Sequence, residues 1–178
     1  MRTQSDNDNR AQIGLRAISA ADEPLLHRVY SSTRSDELAP LGWSEGQIEA
    51  FIAMQFEAQR RDYWHNYDTS RFQIVTCDGV DVGRLYVERR ADELRVVDIA
   101  LLPPFRRRGI GASLFACLFD EADAAAIPVR IHVEHENPAQ HLYQRLGFAF
   151  CGEPGPVYRL MERSPRVHGG GRRQELAA

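Results

Sequence analysis

Apolar positions change their period twice along this chain. Leu25, Leu26, Val29 and Tyr30 form one stripe at three- and four-residue spacing, and Ile48, Phe51, Ile52 and Phe56 form another. That spacing predicts two amphipathic helices. The first follows a short strand at Gly14–Ile18, starts at Ala20–Ala21–Asp22 and ends near Arg34. The second opens on Ser44 and Gln47, a capping-box pair. Between them Ser35–Trp43 reads as an irregular loop with Asp36, Glu37 and an aromatic. From Arg71 the period becomes two. Phe72–Thr76, a turn around Asp78–Gly79 and Val82–Val87 predict a hairpin; a turn at Arg89–Glu93 leads into a strand at Leu94–Leu102. Helical spacing returns at Ile110, Leu114, Leu118, Ala122 and Ala125. Pro128 then starts a strand at Val129–His135. Asn137 caps a short helix with Pro138 in its first turn, and Gly147 ends it. Phe148–Gly152 and Val157–Met161 are two last strands around Glu153–Pro156. The predicted order is β-α-α-β-β-β-α-β-α-β-β, an α/β (α+β) domain on a sheet of six to seven strands.

The stretch Val97–Gly111, V-D-I-A-L-L-P-P-F-R-R-R-G-I-G, carries the chemistry. An apolar strand runs into a basic turn with two glycines, and that turn opens a helix. A helix start leaves amide hydrogens unpaired and carries about half a positive charge. Gly109 and Gly111 leave out side chains there, so an anion can approach bare backbone. Arg106, Arg107 and Arg108 add cations at the same corner. The pattern suits a phosphate or pyrophosphate, although neither a Walker A sequence nor a G-x-G-x-x-G fingerprint is present.

The spacing Arg106-x-x-Gly109-x-Gly111 resembles the acyl-CoA pyrophosphate loop of the GNAT family of N-acetyltransferases. Glu134–Phe148, E-H-E-N-P-A-Q-H-L-Y-Q-R-L-G-F, is similar to that family's N-x-x-A-x-x-x-Y-x-x-x-G-F helix. The two motifs occur in the family's order, and the resemblance runs from about Leu15 to Arg163. It implies a mixed, mostly antiparallel sheet with helices on both faces, splayed between the fourth and fifth strands, and acetyl-CoA (coenzyme A) as cofactor. It gives the pyrophosphate to the loop Arg106, Arg107, Arg108, Gly109, Ile110, Gly111 and Ala112, chiefly to the Arg106 side chain and the main chain beyond it. It gives the pantetheine arm to the main chain of Ile99, Ala100 and Leu101, a further cofactor contact to Asn137, and the general-acid role at the cofactor thiol to Tyr143. One departure stands out: Asn137 precedes Tyr143 by six residues where the family has seven. Each assignment has a plainer counterpart. The arginines also suit a solvated turn, Ile99–Leu101 a buried strand, and Tyr143 the apolar stripe of Ala139, Leu142 and Leu146.

A base must free the attacking amine. Alternation on Val129–Glu136 puts Arg130, His132, Glu134 and Glu136 on one face. An inner strand polar along one whole face points to a bordering cleft. His132 has a neutral-range pKa and lies five residues before Asn137, where the family's ribosomal-protein N-terminal acetyltransferases carry a glutamate base. Glu134 is the second candidate base and Asp98 the third; a hydrogen-bonded strand histidine and an Arg130–Glu134 pair are the structural alternatives. His132 and His135 point to opposite faces, which argues against a shared metal ion. No G-x-S-x-G elbow supplies a nucleophile, and Cys117 falls within a helix.

Composition narrows the setting. The chain has 178 residues, 43% hydrophobic and 26% charged, one domain's worth with a single core. A net charge of −3 argues against a nucleic-acid partner, which selects for a basic face. Three scattered cysteines suggest free thiols in a reducing compartment. No membrane span or signal peptide is visible, so the expected location is cytoplasmic, with no membrane partner. Residues 1–11 and 164–178 read as flexible tails around a domain at 12–163. The function these features imply is transfer of an acetyl group from acetyl-CoA to a primary amine of a small molecule or peptide, within a ternary complex. Ser35–Trp43 and Glu153–Pro156 would wall the acceptor, and Asp36 and Glu37 hint that it is cationic. A protein lysine or N-terminal acetyltransferase, or an acyl-CoA sensor without activity, are the rival classes. The oligomeric state, monomer or homodimer, stays open.

Overall fold

The computed structural model describes residues 11–166, apart from the side chains of Ser35 and Asp36. Its elements are β1 (Ile13–Ala17), α1 (Glu23–Leu38), α2 (Glu45–Asn66), β2 (Gln73–Cys77), β3 (Val80–Arg89), β4 (Leu94–Leu101), α3 (Ile110–Ala125), β5 (Val129–Glu134), α4 (Gln140–Arg145), β6 (Ala149–Cys151) and β7 (Tyr158–Arg163). The seven strands form one sheet in the order β1-β2-β3-β4-β5-β7-β6. Every neighbouring pair is antiparallel except β4–β5, which is parallel. A parallel pair needs a crossover, and α3 supplies it. The mixed, mostly antiparallel sheet expected from the motifs is therefore present.

Alternation in the inner strands sorts side chains onto two cores. Ile74, Phe72 and Tyr86 face α1 and α2, where Leu25, Val29, Ile52 and Phe56 cover them. Val75, Val87, Val96 and Ile131 face α3 and α4, beneath Leu114, Phe115 and Phe148. Each fully buried aliphatic or aromatic side chain contributes about 1.5–3 kcal/mol.

The sheet opens at its middle. Pairing between β4 and β5 covers only Leu94↔Val129 to Val96↔Ile131. Beyond Val96, β4 follows β3 while β5 follows β7 along its whole length. A register shift opposite Tyr86 and Val87 puts an extra residue into β4, and a bulge of this kind bends its strand. The result is the splay expected between the fourth and fifth strands. Gly83 keeps β3 close beneath one wall: a Cβ there would lie 2.3 Å from the Ala100 carbonyl oxygen and 2.7 Å from Leu101 Cδ2. Gly83→Ala should therefore destabilise the protein by about 1–3 kcal/mol, read as a lower urea midpoint at unchanged slope.

Several boundaries correct the sequence reading. The irregular loop at Ser35–Trp43 is largely helical, because α1 runs to Leu38 and a 3-10 turn covers Ala39–Leu41. The hydroxyls of Ser31, Ser32 and Thr33 bond back to carbonyls within the helix, so three hydroxyl residues in a row do not end it. Buried Leu38 gives the extra turn a packing reason. Asn137 does not cap α4, which starts at Gln140 with Ala139 at the N-cap position. Its Oδ1 accepts instead from the Ala139 N–H at 2.9 Å, closing a local turn. The Ser44–Gln47 capping box is formed. Of the two expected tails only Ala11 and Ser164–Arg166 lie within the described residues; there the Arg166 N–H donates to Asp123 Oδ1 at 2.7 Å. No helix among the described residues is long and apolar enough to cross a membrane.

Candidate active site

The glycine-bearing corner lies just past the open end of β4. After β4, Pro103–Phe105 makes a 3-10 turn. Arg107 then takes φ 59° and Gly109 φ 81°, a left-handed pair of which only the glycine is free of steric cost. Gly109 is the N-cap of α3 and brings no side-chain cap. The first helical bond is Ser113 N–H to Gly109 O at 3.0 Å, so the amides of Ile110, Gly111 and Ala112 precede the ladder. Glycine at position 111 costs roughly 0.5–1 kcal/mol relative to alanine. Protein packing does not demand it, since a Cβ would meet nothing closer than Leu142 Cδ2 at 3.7 Å. This is a cradle in which main chain can touch an anion.

The three arginines there are not equivalent. Arg107 and Arg108 are exposed, and the Arg108 guanidinium lies 5.4 Å from the Phe105 ring centroid. Arg106 points inward. Its Nε donates to Leu101 O at 2.8 Å, and its Nη2 to Ser32 O at 2.9 Å and Ser32 Oγ at 2.8 Å. The family resemblance assigns this side chain to the pyrophosphate; here protein groups hold it.

Ile99 and Leu101 pack toward α3 and Ala100 toward α1 and α2; none of the three pairs with β5, and the Leu101 carbonyl accepts from Arg106 instead. Tyr143, on α4, is 6% exposed, with Phe115 and Phe148 rings 5.5 and 5.9 Å away. Burial raises its pKa above the usual phenol value, and the charge of Asp98 adds to the rise. Its hydroxyl makes no hydrogen bond to another described residue. Tyr143 is thus a core aromatic whose phenol is held in its protonated form. Asp98 sits across the opening, 2.5 Å from Arg84 Nη2 and 3.4 Å from the Tyr63 hydroxyl that donates to it.

The polar face of β5 carries two of the proposed bases in different states. His132 is exposed, with Nδ1 2.9 Å from Arg95 Nη1. A guanidinium can only donate, so Nδ1 accepts and the ring is the neutral tautomer with its proton on Nε2. Arg95 is locked by Glu93, whose carboxylate is 2% exposed and also meets Arg90 and Arg130. Desolvation, then the Arg95 charge, lower the His132 pKa. An NMR titration should place its midpoint below 6.5, and Arg95→Ala should raise it. The sign for stability follows from linkage: the unfolded histidine binds its proton first as pH falls. The contribution is whole above about pH 6.5 and declines as pH drops toward the folded-state midpoint.

Glu134 ends β5 at the open mouth. Its Oε1 lies 3.2 Å from Arg34 Nη2, and Arg34 Nη1 lies 2.9 Å from Glu37. Tyr30, Arg34, Glu37, Leu38, Phe51 and Ile52 line a cleft of about 300 Å³ beside this pair. The Asp36 side chain falls outside the described residues. The Glu153–Pro156 turn, expected to form the other wall, is tied to the end of β5 through Gly155 O, 2.9 Å from His135 Nε2. The Glu93–Arg130, Arg34–Glu134 and Arg84–Asp98 pairs were not found from the sequence, because each joins two different segments, which periodicity does not register. Among the described residues no cluster of His, Cys, Asp or Glu could hold a metal ion.

A sheet parted between two parallel strands, with a bare helix start past the open end of β4, is the arrangement that the two sequence motifs imply. Residues 68–149 match the acetyltransferase (GNAT) domain. Streptothricin acetyltransferase of Streptomyces lavendulae is 35% identical over 96 residues, 52% of this chain and 51% of that protein; the match thus spans about half of the relative's length. The fold is similar to that of PaiA N-acetyltransferase from Thermoplasma acidophilum, solved with coenzyme A, at TM-score 0.63 and 20% identity over 86% of this chain and 99% of that one. It is also similar to the ribosomal-protein-S18-alanine N-acetyltransferase of Escherichia coli, at TM-score 0.56 and 18% identity over 89% and 97%.

Proposed function

We propose that this protein acetylates a primary amine of a small molecule or peptide, with acetyl-CoA as donor. The observation that carries the reading is the cradle at Gly109–Ala112, where amides face outward over a glycine that no protein contact requires. Those amides and the two exposed arginines would hold the diphosphate, and the main chain of Ile99–Leu101, where it parts from β5, the pantetheine arm. Acetyl-CoA supplies an acyl group activated as a thioester.

The residues then divide the proton work. Tyr143, kept protonated by burial, donates to the departing thiolate. Glu134 accepts the proton of the incoming ammonium; its partner Arg34 is shared with Glu37. His132 offers only its Nε2–H, since Arg95 occupies the other nitrogen, so it cannot take the proton of the amine. One arginine between two glutamates leaves the mouth net acidic, which favours a cationic acceptor; the relative named for streptothricin supports the same class.

A thermal-shift titration with acetyl-CoA is the first test. Saturation at a hundred times Kd should add about 2.7 kcal/mol of stability. Thiol release from acetyl-CoA with streptothricin, polyamines, aminoglycosides, amino acids and short peptides then reads the activity. Tight binding without transfer to any of them would refute it.

A further inference from the structure

Two guanidinium bridges leave α1 only two residues apart and end on opposite sides of the splay. Ser32 receives Arg106, which also holds the Leu101 carbonyl at the end of β4. Arg34 reaches Glu134 at the end of β5. Beyond Val96 and Ile131 the two strands share no ladder pairing, so nothing within the sheet fixes their separation there. We infer that α1 is a brace across the splay and that Arg106 is its positioning residue on the β4 side, not a ligand of the diphosphate.

The geometry explains why an arginine is needed. One planar group bonds three oxygens on two elements, Leu101 O on the sheet and Ser32 O and Oγ on the helix. A lysine has the charge but not the fork. With its Nε and Nη2 engaged, Arg106 holds the last carbonyl of β4 in place and ties the cofactor loop to the helix that lines the acceptor cleft. The Arg34 bridge is the weaker half: it is longer, at 3.2 Å, and about a third exposed on both sides. An ammonium group arriving at Glu134 would compete with it, so the acceptor would loosen one end of the brace while Arg106 holds the other.

This inference rests on the acetyltransferase reading for its kinetic consequences, but its decisive test does not. Hydrogen exchange of the full chain, without ligand, compares wild type with Arg106→Ala and Arg106→Lys. Amides of residues 31–38 should exchange at least tenfold faster in both variants; unchanged protection in both overturns the brace. Coenzyme A affinity, by calorimetry, should stay within threefold of wild type in both. A tenfold weaker Kd in Arg106→Ala that Arg106→Lys restores would show a charge contact to the diphosphate and overturn the positioning role. With the fastest amine of the panel above, KM for the amine should rise at least tenfold while KM for acetyl-CoA holds. Wild type that binds no coenzyme A would refute the acetyltransferase reading, and the exchange result would still decide the brace.

Discussion

Gly111→Asp should abolish coenzyme A binding while leaving the protein as stable as before, or slightly more so. The two effects have opposite signs because they act on the same feature. Position 111 lies in the first turn of α3, and no acidic residue is present there. An aspartate in a first turn interacts favourably with the helix dipole by about 0.3–1 kcal/mol, and it removes the entropic cost of glycine. Space is available, since a Cβ would touch only Leu142 Cδ2 at 3.7 Å. Yet the carboxylate would occupy the cradle and place a negative charge against the incoming diphosphate. At a few ångströms and an effective dielectric near 20, a like-charge contact costs about 4 kcal/mol. That corresponds to a loss of binding of roughly 100-fold or more. Thermal melting and calorimetry on one sample check both halves. A variant that binds coenzyme A normally would place the cofactor elsewhere.

How much of this was legible beforehand depended on whether a feature is local. Capping at Ser44–Gln47, the hairpin turn at Asp78–Gly79 and the helix start at Gly109 are each written within a few residues, and each was read correctly. The extra turn of α1 was not, because it depends on burying Leu38 against a distant core, a tertiary term that overrides weak local propensity. Asn137 shows a subtler limit. Its side chain does bond a main-chain amide, as its type suggests, but two residues on, which closes a turn in place of a helix cap. The site follows the same division. Spacing singled out His132, but only the fold shows Glu93 fixing Arg95 and Arg95 fixing the histidine tautomer. Arg106 was recognised by its place in a motif, and that place says nothing about Ser32, 74 residues away.

Tyr143→Phe should lower kcat by about 10²–10⁴-fold, leave KM for acetyl-CoA close to wild type, and keep the fold intact. The ring is what the core uses. It packs edge-on against Phe115 and near Phe148, and phenylalanine fills the same space. The hydroxyl contributes no hydrogen bond to another described residue, so its removal leaves no protein partner unsatisfied and the stability change should be small. Any loss of rate therefore reports on chemistry at the departing sulfur. The pH dependence gives a second, independent reading. Burial and the nearby Asp98 both disfavour the phenolate, so the phenol's folded pKa lies above its ordinary value near 10. The wild-type kcat should accordingly show no alkaline decline from this group below pH 10, whereas an unshifted phenol would begin to fail by pH 9. A Phe variant with wild-type kcat would return Tyr143 to the core as a packing residue and pass the proton to water.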